Sequence, residues 1–482
     1  MNRISRRRFL ATGVMAAAIP PFARQGRAHA GATELRATRR VIEVNGKAAN
    51  VFGLMQPDGR HGIVADAGQR FHVQLVNELD EHTLVHWHGL TPPSDQDGVP
   101  EFSQAALKAG TDYEYDFALA RPGTNWMHSH VGLQEQQLLT APLIVRDPAD
   151  AARDEQEVVV LLHDFTFRDP AEIMAGLGGG MGHPGHAGMG MAGMDRSAMD
   201  PGSMDEMQPH LHLNDVEFDA YLANDRTLND PDIVRVEAGG RVRLRLINAA
   251  SSTNFWLDLG TLGGDLVAVD GHSIVPLSGS RFPLAIAQRA DIRLQLPAGA
   301  AAYPILAVRE GDTARTGIIL ATAGAAIARV PDRAEMPTGA VDLGLERRLA
   351  AADGSVLGTA ERPVRRHILD LTGDMMRFAW GFNGLRFGQD APLLVRQGER
   401  VEIRFVNGTD MSHPIHLHGH PFQVIAIDDM AFAGALRDTV LVPIGGSVTV
   451  AFIADNPGHW ALHCHNLYHM AAGMMTSVGY EA

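Results

Sequence analysis

Short stretches of alternating apolar and polar residues recur along the chain, with Gly, Pro, Asn or Asp residues between them. A period of two is typical of a β-strand with one buried face, whereas an amphipathic helix has a period near 3.6. No long amphipathic helical pattern stands out. The stretches predicted as strands are 71–77, 113–119, 138–145, 158–162, 242–248, 393–395, 401–407 and 448–453.

Three of these stretches look like copies of one structural unit. Each copy alternates apolar and polar residues, ends in Asn and comes shortly after a glycine. The copies cover residues 71–77, 241–248 and 400–407, after Gly68, Gly239 and Gly398. A unit that recurs in this way predicts three β-domains built alike, so we expect an all-β fold.

Length and composition fit this organisation. The 482 residues are 45% hydrophobic and 20% charged, a globular balance that excludes a collagenous or multi-span membrane protein. At ~150 residues per domain, the length predicts about three domains. We place them at residues 31–150, 151–340 and 341–482, the last of which begins with a linker.

Residues 1–30 have the layout of an export signal. Arg6 and Arg7 lie in a basic stretch, a weakly apolar region follows, and residues 28–30 form a small-residue cleavage site. The segment resembles a twin-arginine signal, which implies the twin-arginine export machinery as a partner and a periplasmic location. The apolar region is too short to span a bilayer, so we predict no stable membrane insertion.

The net charge of the chain limits the kinds of partner that it can bind. Removing the six arginines of residues 1–30 takes the formal net charge from −15 to −21. A chain this acidic should repel nucleic acid and anionic membranes and attract cations. An oxidising compartment would allow disulfides, but Cys464 is the only cysteine in the sequence and therefore needs another role.

A methionine-rich segment interrupts the second predicted domain. Residues 174–207 contain eight of the chain's 20 methionines, many glycines, and His183 and His186. Because these methionines follow neither a helical nor a strand period, we predict a mobile loop. Thioether and imidazole groups bind Cu(I), so this loop would gather copper; the alternative is a low-complexity linker.

Histidines concentrate in pairs separated by one residue. The 23 histidines predict about one such pair by chance, whereas six occur. Residues i and i+2 of a strand point to the same face ~6.6 Å apart, so each pair can present two imidazoles to neighbouring metal ions. We interpret His210/His212 as a structural pair or an adventitious zinc site. The six pairs are His86/His88, His128/His130, His210/His212, His416/His418, His418/His420 and His463/His465.

The stretch around Cys464 is the most specific feature of the sequence. Two histidines flank Cys464, and on a strand they face one way while the thiol faces the other, so one strand can serve two metal sites. A Cys, two His and a weak Met form the ligand set of a blue, electron-transferring copper centre. The remaining ligands of that centre would be His413, His469 and Met474.

Four motifs together resemble those of the multicopper oxidases built from three cupredoxin domains. The motifs lie in the first and third predicted domains, and the resemblance covers essentially the whole chain after residue 30. It implies three cupredoxin-like Greek-key β-barrel domains. The motifs are His86-Trp87-His88-Gly89, His128-Ser129-His130, His413-Pro414-Ile415-His416-Leu417-His418-Gly419, and His463-Cys464-His465 with His469 and Met474.

Carried over position by position, this resemblance implies four copper ions and twelve ligands. The implied reaction is four one-electron oxidations at a type 1 copper, transfer along Cys464 to its flanking histidines, and reduction of O₂ to water. The type 1 ligands would be His413, Cys464, His469 and Met474, and the type 2 ligands His86 and His416. The type 3 pair would be held by His88, His128, His130, His418, His463 and His465.

The resemblance also indicates residues beside the copper ions. Asp97 is similar to the family's proton-relay aspartate. Several bacterial members have a Glu directly after the last type 1 histidine, whereas this chain has Met470 and looks closer to the plasmid copper-resistance oxidases. Four residues support binding of substrate copper, two of them similar to substrate-copper positions of copper-efflux oxidases: Met375, Met376, Asp410 and Met411.

Three functions remain open from the sequence. The first is a cuprous oxidase that converts Cu(I) to Cu(II) in copper tolerance. The second is a laccase that oxidises phenols or aromatic amines, and the third is a non-enzymatic copper-binding protein of the periplasm. Retention of all twelve ligands argues against the third.

Overall fold

A computed structural model of the chain describes residues 31–178, 213–353 and 362–481. Strands dominate these residues, which confirms the predicted all-β class. Two short α-helices also occur, α1 (Pro170–Gly178) and α2 (Leu467–Ala471), with 3₁₀ helices at Ser94–Gln96, Pro148–Arg153 and Glu346–Arg348. No helix in the described ranges has the length and apolar character that crossing a membrane requires.

The first unit is a pair of four-stranded sheets packed around one apolar core. The sheet orders are β2-β1-β4-β6 and β3-β8-β7-β5, and the core between them includes Phe71, Trp87 and Tyr115. The strands are β1 (Thr33–Val44), β2 (Lys47–Met55), β3 (Ile63–Asp66), β4 (Arg70–Asn77), β5 (Val85–His86), β6 (Asp112–Ala118), β7 (Gly123–Ser129) and β8 (Thr140–Arg146).

The second unit pairs a six-stranded with a five-stranded sheet. Their orders are β10-β9-β12-β17-β14-β15 and β11-β19-β18-β13-β16. The strands are β9 (Gln156–Phe165), β10 (Ala220–Ala223), β11 (Ile233–Arg235), β12 (Arg241–Asn248), β13 (Phe255–Asp258), β14 (Gly264–Val269), β15 (His272–Gly279), β16 (Arg281–Leu284), β17 (Arg289–Gln295), β18 (Ala302–Arg309) and β19 (Arg315–Ala321).

The third unit has the same two-sheet plan. One sheet has the order β21-β20-β23-β29-β25-β26, with β27 also paired to β25, and the other is β22-β31-β30-β24-β28. The strands are β20 (Val364–Asp374), β21 (Ala379–Phe382), β22 (Leu393–Val395), β23 (Arg400–Asn407), β24 (His413–Leu417), β25 (Phe422–Ile427), β26 (Met430–Ala431), β27 (Leu436–Arg437), β28 (Thr439–Val442), β29 (Ser447–Ile453), β30 (His459–Cys464) and β31 (Met475–Tyr480).

The three repeated stretches of the sequence occupy equivalent places in the three units. They form β4, β12 and β23, and each pairs in parallel with the first strand of its unit, which is β1, β9 or β20. Each also pairs antiparallel with a later strand, which is β6, β17 or β29. The repeat in the sequence therefore corresponds to a repeat in the strand pairing.

The Asn that ends each repeat has the same structural role three times. The side-chain amide donates to two backbone carbonyls in the case of Asn77 and Asn248 and to three in the case of Asn407, at 2.7–3.1 Å. Its side-chain oxygen accepts from the backbone N–H two residues further on, at 2.9–3.1 Å. All three residues are buried, so each Asn replaces the backbone hydrogen bonds that are lost where its strand ends.

Two predictions about local structure were wrong in detail. The strand predicted at 138–145 starts at Thr140, because Leu138 has a positive φ of 65° and its N–H closes a turn onto the carbonyl of Glu135. Residues 174–178, predicted as the start of a loop, are helical, because α1 continues to Gly178. The side chain of Asp169 caps this helix, and Ile173 is buried against the third unit. The rest of the Met-rich segment, with His183 and His186, lies outside the described residues, as do His210, His212 and the predicted export signal.

Candidate metal centre

Three donor atoms in the third unit converge on one point. The Cys464 Sγ atom lies 3.6 Å from Nδ1 of His413 and 3.8 Å from Nδ1 of His469. The two Nδ1 atoms lie 3.1 Å apart. His413 begins β24, Cys464 ends β30 and His469 lies in α2. All three side chains are buried, so together they can enclose one metal ion.

Neighbouring groups fix the orientation of these donors. The Thr409 hydroxyl lies 2.7 Å from His413 Nε2, which leaves His413 Nδ1 to face the cysteine. The Asn466 side chain caps α2 by accepting from the N–H of His469 and of Tyr468. The backbone carbonyl of the fully buried Met474 accepts from the Cys464 N–H at 3.0 Å, and the Met474 N–H donates to the His469 carbonyl at 3.0 Å.

An aromatic wall covers the two histidines. The Trp380 ring stacks on His469 with 4.1 Å between ring centroids and meets His413 edge-on at 5.3 Å. A glycine is needed beneath this ring, because a Cβ at Gly373 would lie 1.8 Å from a Trp380 ring carbon. Trp380 is 1% exposed, so water has little access to this face of the site.

Eight histidines form a second buried set where the first and third units meet. Two come from β5 or its end, two from β7 or its end, two from β24 or its end and two from β30 or its end. Opposite strands pair them directly, since His86 faces His128 and His416 faces His463 in register. The eight are His86, His88, His128, His130, His416, His418, His463 and His465.

The inward nitrogens of this set lie close together. Nε2 of His463 lies 3.0 Å from Nε2 of His418 and 3.4 Å from Nε2 of His130. Five other ring nitrogens of the set are buried and have no hydrogen-bond partner among the described residues. They are Nε2 of His86, His128, His416 and His465, and Nδ1 of His88. Buried polar atoms without partners are rare in proteins, so this concentration indicates ligands for metal ions.

Outer partners hold the rings so that these nitrogens point inward. The Nδ1 atoms of His86, His416 and His463 each lie 2.8–2.9 Å from a backbone carbonyl, which fixes the ring and leaves Nε2 free. The ring of His88 has the opposite orientation, because its outward atom is Nε2, which lies 3.0 Å from the Asp438 carboxylate. Its inward atom is therefore Nδ1.

Burial also sets the charge of these rings. It lowers the pKa of His463 to about 3, and it lowers the pKa of His130, His416 and His418 well below the ordinary value, with neighbouring imidazoles adding to the effect. These four rings are therefore neutral and present lone pairs at neutral pH. Burial raises the pKa of the Cys464 thiol, so it keeps its proton unless a cation binds. Neutral imidazoles with one thiolate are a donor set that suits copper.

The structure places Asp97 between two members of the eight-histidine set. Its Oδ2 lies 2.8 Å from His418 Nδ1, and its Oδ1 lies 3.3 Å from His86 Nδ1. Asp97 is 1% exposed. The sequence-predicted relay acid thus contacts two candidate ligands from different units.

Two further carboxylates lie beside this set, and the sequence predicted neither of them. Oε2 of Glu135 lies 3.0 Å from Nδ1 of His128, and burial raises the pKa of Glu135 well above its ordinary value, with the charge of Asp164 as the second cause. Asp438 contacts His88 as described above. Glu135 lies five residues after His130, but no motif spacing marks either acid.

The four predicted substrate residues differ in burial. Met411 is buried in the core that also contains Cys464, and Met375 packs against that core. Met376 is 80% exposed, and Asp410 is exposed.

His420 is not a member of the eight-histidine set, although it follows His418 by two residues. Its Nε2 lies 2.7 Å from the Tyr480 hydroxyl.

The two-sheet units and the two donor sets define a copper-binding oxidoreductase with a cysteine-containing site and a separate histidine cluster. Residues 34–150, 157–329 and 362–481 each match a family model described as multicopper oxidase. The chain belongs to the multicopper oxidase family.

Individual relatives agree with this assignment. The chain is 32% identical over 430 residues to multicopper oxidase MmcO of Mycobacterium tuberculosis, which covers 87% of the chain and 81% of the relative. It is 27% identical to copper resistance protein A of Escherichia coli, with 86% of each chain covered. The crystal structure of a laccase from Botrytis aclada has the same fold, with a TM-score of 0.73 at 22% identity over 92% of this chain and 86% of the laccase.

Proposed function

We propose that the chain is a cuprous oxidase that couples oxidation of four Cu(I) ions to reduction of one O₂ to two waters, with four protons consumed. Its resident cofactor is four copper ions: one at the cysteine site, as type 1, and three in the eight-histidine set, as one type 2 and a type 3 pair. Bound there, these ions supply one-electron chemistry at the cysteine site and O₂ reduction at the histidine set.

The strand β30 connects the two sites for electron transfer. The Cys464 thiol faces the site with His413 and His469, while the adjacent His463 and His465 belong to the histidine set. Only backbone bonds separate the thiol-bearing residue from these two histidines. The alternation of side chains on one strand therefore provides a covalent connection between the two sites.

The protein's contribution to proton transfer is the pair of carboxylates beside the histidine set. Asp97 lies 2.8 Å from His418 Nδ1 and is the acid we assign to proton delivery. Glu135 lies 3.0 Å from His128 Nδ1, on another side of the set. We assign Glu135 as a second proton donor, in a chain that has Met470 where several bacterial members of the family have Glu.

One observation supports the choice of Cu(I) as substrate: the described residues at the start of the Met-rich segment and just after its end contact the third unit, which contains the cysteine site. On one side, Met174 and Leu177 of α1 pack against the core that contains Cys464 and Met474. On the other side, the carboxylate of Asp215 lies 3.0 Å from Nε2 of His469. A segment rich in thioether groups between these two contacts would supply soft-metal ligands to the unit in which electrons enter.

The same geometry disfavours a phenol as the natural donor. Trp380 covers one face of His469, and Asp215 occupies the outer edge of that imidazole. His469 has no exposed surface. A laccase needs contact between an aromatic substrate and such an edge, whereas a metal ion held by Asp and Met side chains needs less room.

The test is steady-state O₂ uptake by the copper-loaded protein, with Cu(I) as the only reductant and then with a phenol. We expect Cu(I) to be the better donor by kcat/KM and to give four Cu(II) per O₂. A higher kcat/KM for the phenol would assign a laccase. Copper binding without O₂ uptake from either donor would assign the non-enzymatic alternative. We also propose export by the twin-arginine route to the periplasm, on the basis of residues 1–30.

A further inference from the structure

A chain of buried charges leads from the second unit to the histidine set. Arg289 begins β17 and donates through its two terminal nitrogens to both oxygens of Asp438, at 2.7 and 2.5 Å. Arg289 has no exposed side-chain surface, and the side chain of Asp438 is 6% exposed. This bidentate arrangement fixes both the position and the plane of the carboxylate.

Asp438 in turn touches two members of the histidine set. Its Oδ1 atom lies 3.0 Å from Nε2 of His88, which comes from the first unit. Its backbone carbonyl accepts from Nδ1 of His416, which comes from the third unit, at 2.8 Å. The Thr439 hydroxyl donates to the same Oδ1 at 3.0 Å. The orientation of His88, and hence the use of its Nδ1 as the inward atom, depends on this carboxylate.

Arg289 is itself held by all three units. Its Nε donates to the Thr124 carbonyl on β7 at 3.1 Å, and its backbone N–H donates to Asp270 at 2.9 Å. Asp270 lies 3.3 Å from Arg437, a residue of the third unit. No larger side chain fits at Gly89, because a Cβ there would lie 2.6 Å from an Arg289 nitrogen. Arg289 is therefore one of the residues at which the three units contact one another.

We propose that Arg289 is a positioning residue through which the second unit sets the orientation of His88 toward the metal cluster. The second unit supplies none of the twelve candidate ligands, and this contact is a route by which it acts on the histidine set. Lysine at position 289 would keep the positive charge but could not reproduce the two parallel hydrogen bonds that fix the plane of the Asp438 carboxylate. Asp438 is the residue that holds His88. The inference rests on the proposed assignment of His88 as a copper ligand.

The second unit offers a matched control in Arg245. Arg245 is also buried, at 1% exposure. It donates to the Thr124 hydroxyl at 2.9 Å and to Asp291 at 3.0 Å, so it also joins the first and second units. These partners are not members of the histidine set. Replacing either arginine by Lys should cost comparable stability, whereas only Arg289→Lys should disturb the cluster.

The experiment compares copper-loaded wild type, Arg289→Lys and Arg245→Lys by ultraviolet and visible absorption, electron paramagnetic resonance and thermal unfolding. For Arg289→Lys we expect unchanged blue absorption, an altered near-ultraviolet band of the type 3 pair that His88 would help to hold, and kcat reduced by at least tenfold. For Arg245→Lys we expect a similar fall in Tm with wild-type spectra. Identical cluster spectra for the two variants would overturn the positioning role.

A second variant tests the proposal if Arg289→Lys does not fold. The double change Arg289→Met with Asp438→Asn removes both charges and leaves no unpaired one, which buried ion pairs commonly tolerate. It should also alter the cluster signal, and a wild-type signal from this folded protein would overturn the proposal. A wild-type chain that shows the blue band but no cluster signal would instead overturn the proposed function, and with it this inference.

Discussion

The carboxylate of Asp215 lies 3.0 Å from Nε2 of His469, while Nδ1 of the same ring faces the Cys464 sulfur at 3.8 Å. A single imidazole thus connects an acid of the second unit to the thiol of the third. The Asn466 amide donates to the same Asp215 oxygen at 2.9 Å, and Asp215 is 2% exposed. A fixed negative charge at this distance favours the more positive, oxidised state of a metal ion bound to His469.

Replacing Asp215 with Asn should therefore raise the reduction potential of the cysteine site, by tens of millivolts, and should raise KM for Cu(I). The measurement is a redox titration of the blue band together with Cu(I) kinetics. Glu217→Gln is the control, because Glu217 lies two residues away with its side chain 82% exposed. Equal potentials for the two variants would contradict the electrostatic role of Asp215.

Cys464→Ser should abolish both the blue absorption and all oxidase turnover while the fold survives. A serine hydroxyl is a harder and poorer ligand than a thiolate, and the connection between the two sites runs through this residue. Absorption spectroscopy and O₂ uptake check the expectation, and circular dichroism checks the fold. Retained oxidation of any reductant would refute the assignment of the cysteine site.

His416→Ala and His128→Ala should leave a blue protein that accepts electrons but reduces O₂ slowly, by on the order of 100-fold or more. Both imidazoles have a buried Nε2 without a partner and belong to the histidine set. Stopped-flow bleaching of the blue band under argon should remain fast. Normal O₂ consumption by either variant would overturn the division of ligands between the two sites.

The candidate ligands could be found from the sequence because their spacing reflects local geometry. The His-x-His pairs follow from the period of two in a strand, and the three Asn-ended repeats reflect one hydrogen-bonded turn. Asp438, Arg289 and Asp215 could not be found in this way. Asp438 is 350 residues from His88 in sequence, and Arg289 is 149 residues from Asp438, so these contacts depend on how the units dock.

The helix α1 is a second case in which the local sequence pattern does not predict the structure. Its C-terminal half carries two glycines, Gly176 and Gly178, which argue against a helix on propensity alone. Burial of Ile173 against the third unit, together with the Asp169 cap, outweighs this preference. Tertiary packing therefore determines the helical structure of residues 174–178. The sequence pattern within these residues does not predict that packing.

The stability of the chain should fall between about pH 4.5 and pH 7 through one buried acid, Glu310. Its oxygens accept from the Asn254 amide at 2.8 Å and the Val341 N–H at 2.5 Å. Burial raises the pKa of Glu310 from 4.5 to about 7, so the folded chain holds this proton more tightly than the unfolded chain. The stabilisation is complete below pH 4.5 and is lost as the pH rises through 7, for a total of about 3 kcal/mol.

Urea unfolding at several pH values measures this effect. Glu310→Gln should flatten the decline over that pH range, since an amide does not titrate. The exposed Glu335→Gln provides the control and should leave the decline as in wild type. A wild-type slope in the Glu310 variant would assign the pH dependence to other groups.

The last prediction concerns deletion of most of the Met-rich segment. A deletion of residues 181–207 spares α1, which packs against the third unit, and Asp215, which contacts His469. If the segment collects Cu(I), its loss should raise KM for Cu(I) roughly tenfold with little change in kcat, because a tethered soft-ligand segment raises the local copper concentration. Phenol oxidation should stay constant or increase.

A matched variant separates the methionines from the length of the segment. Changing the seven methionines from 181 to 207 to Leu keeps every residue of the connection but removes the thioether ligands. We expect this variant to show the same rise in KM for Cu(I) as the deletion, with phenol kinetics like wild type. Unchanged Cu(I) kinetics at sub-saturating copper in both variants, with the twelve ligands filled, would show that the segment is a linker. The preference between the two donors would then have to arise from Asp215 and Trp380 at the cysteine site itself.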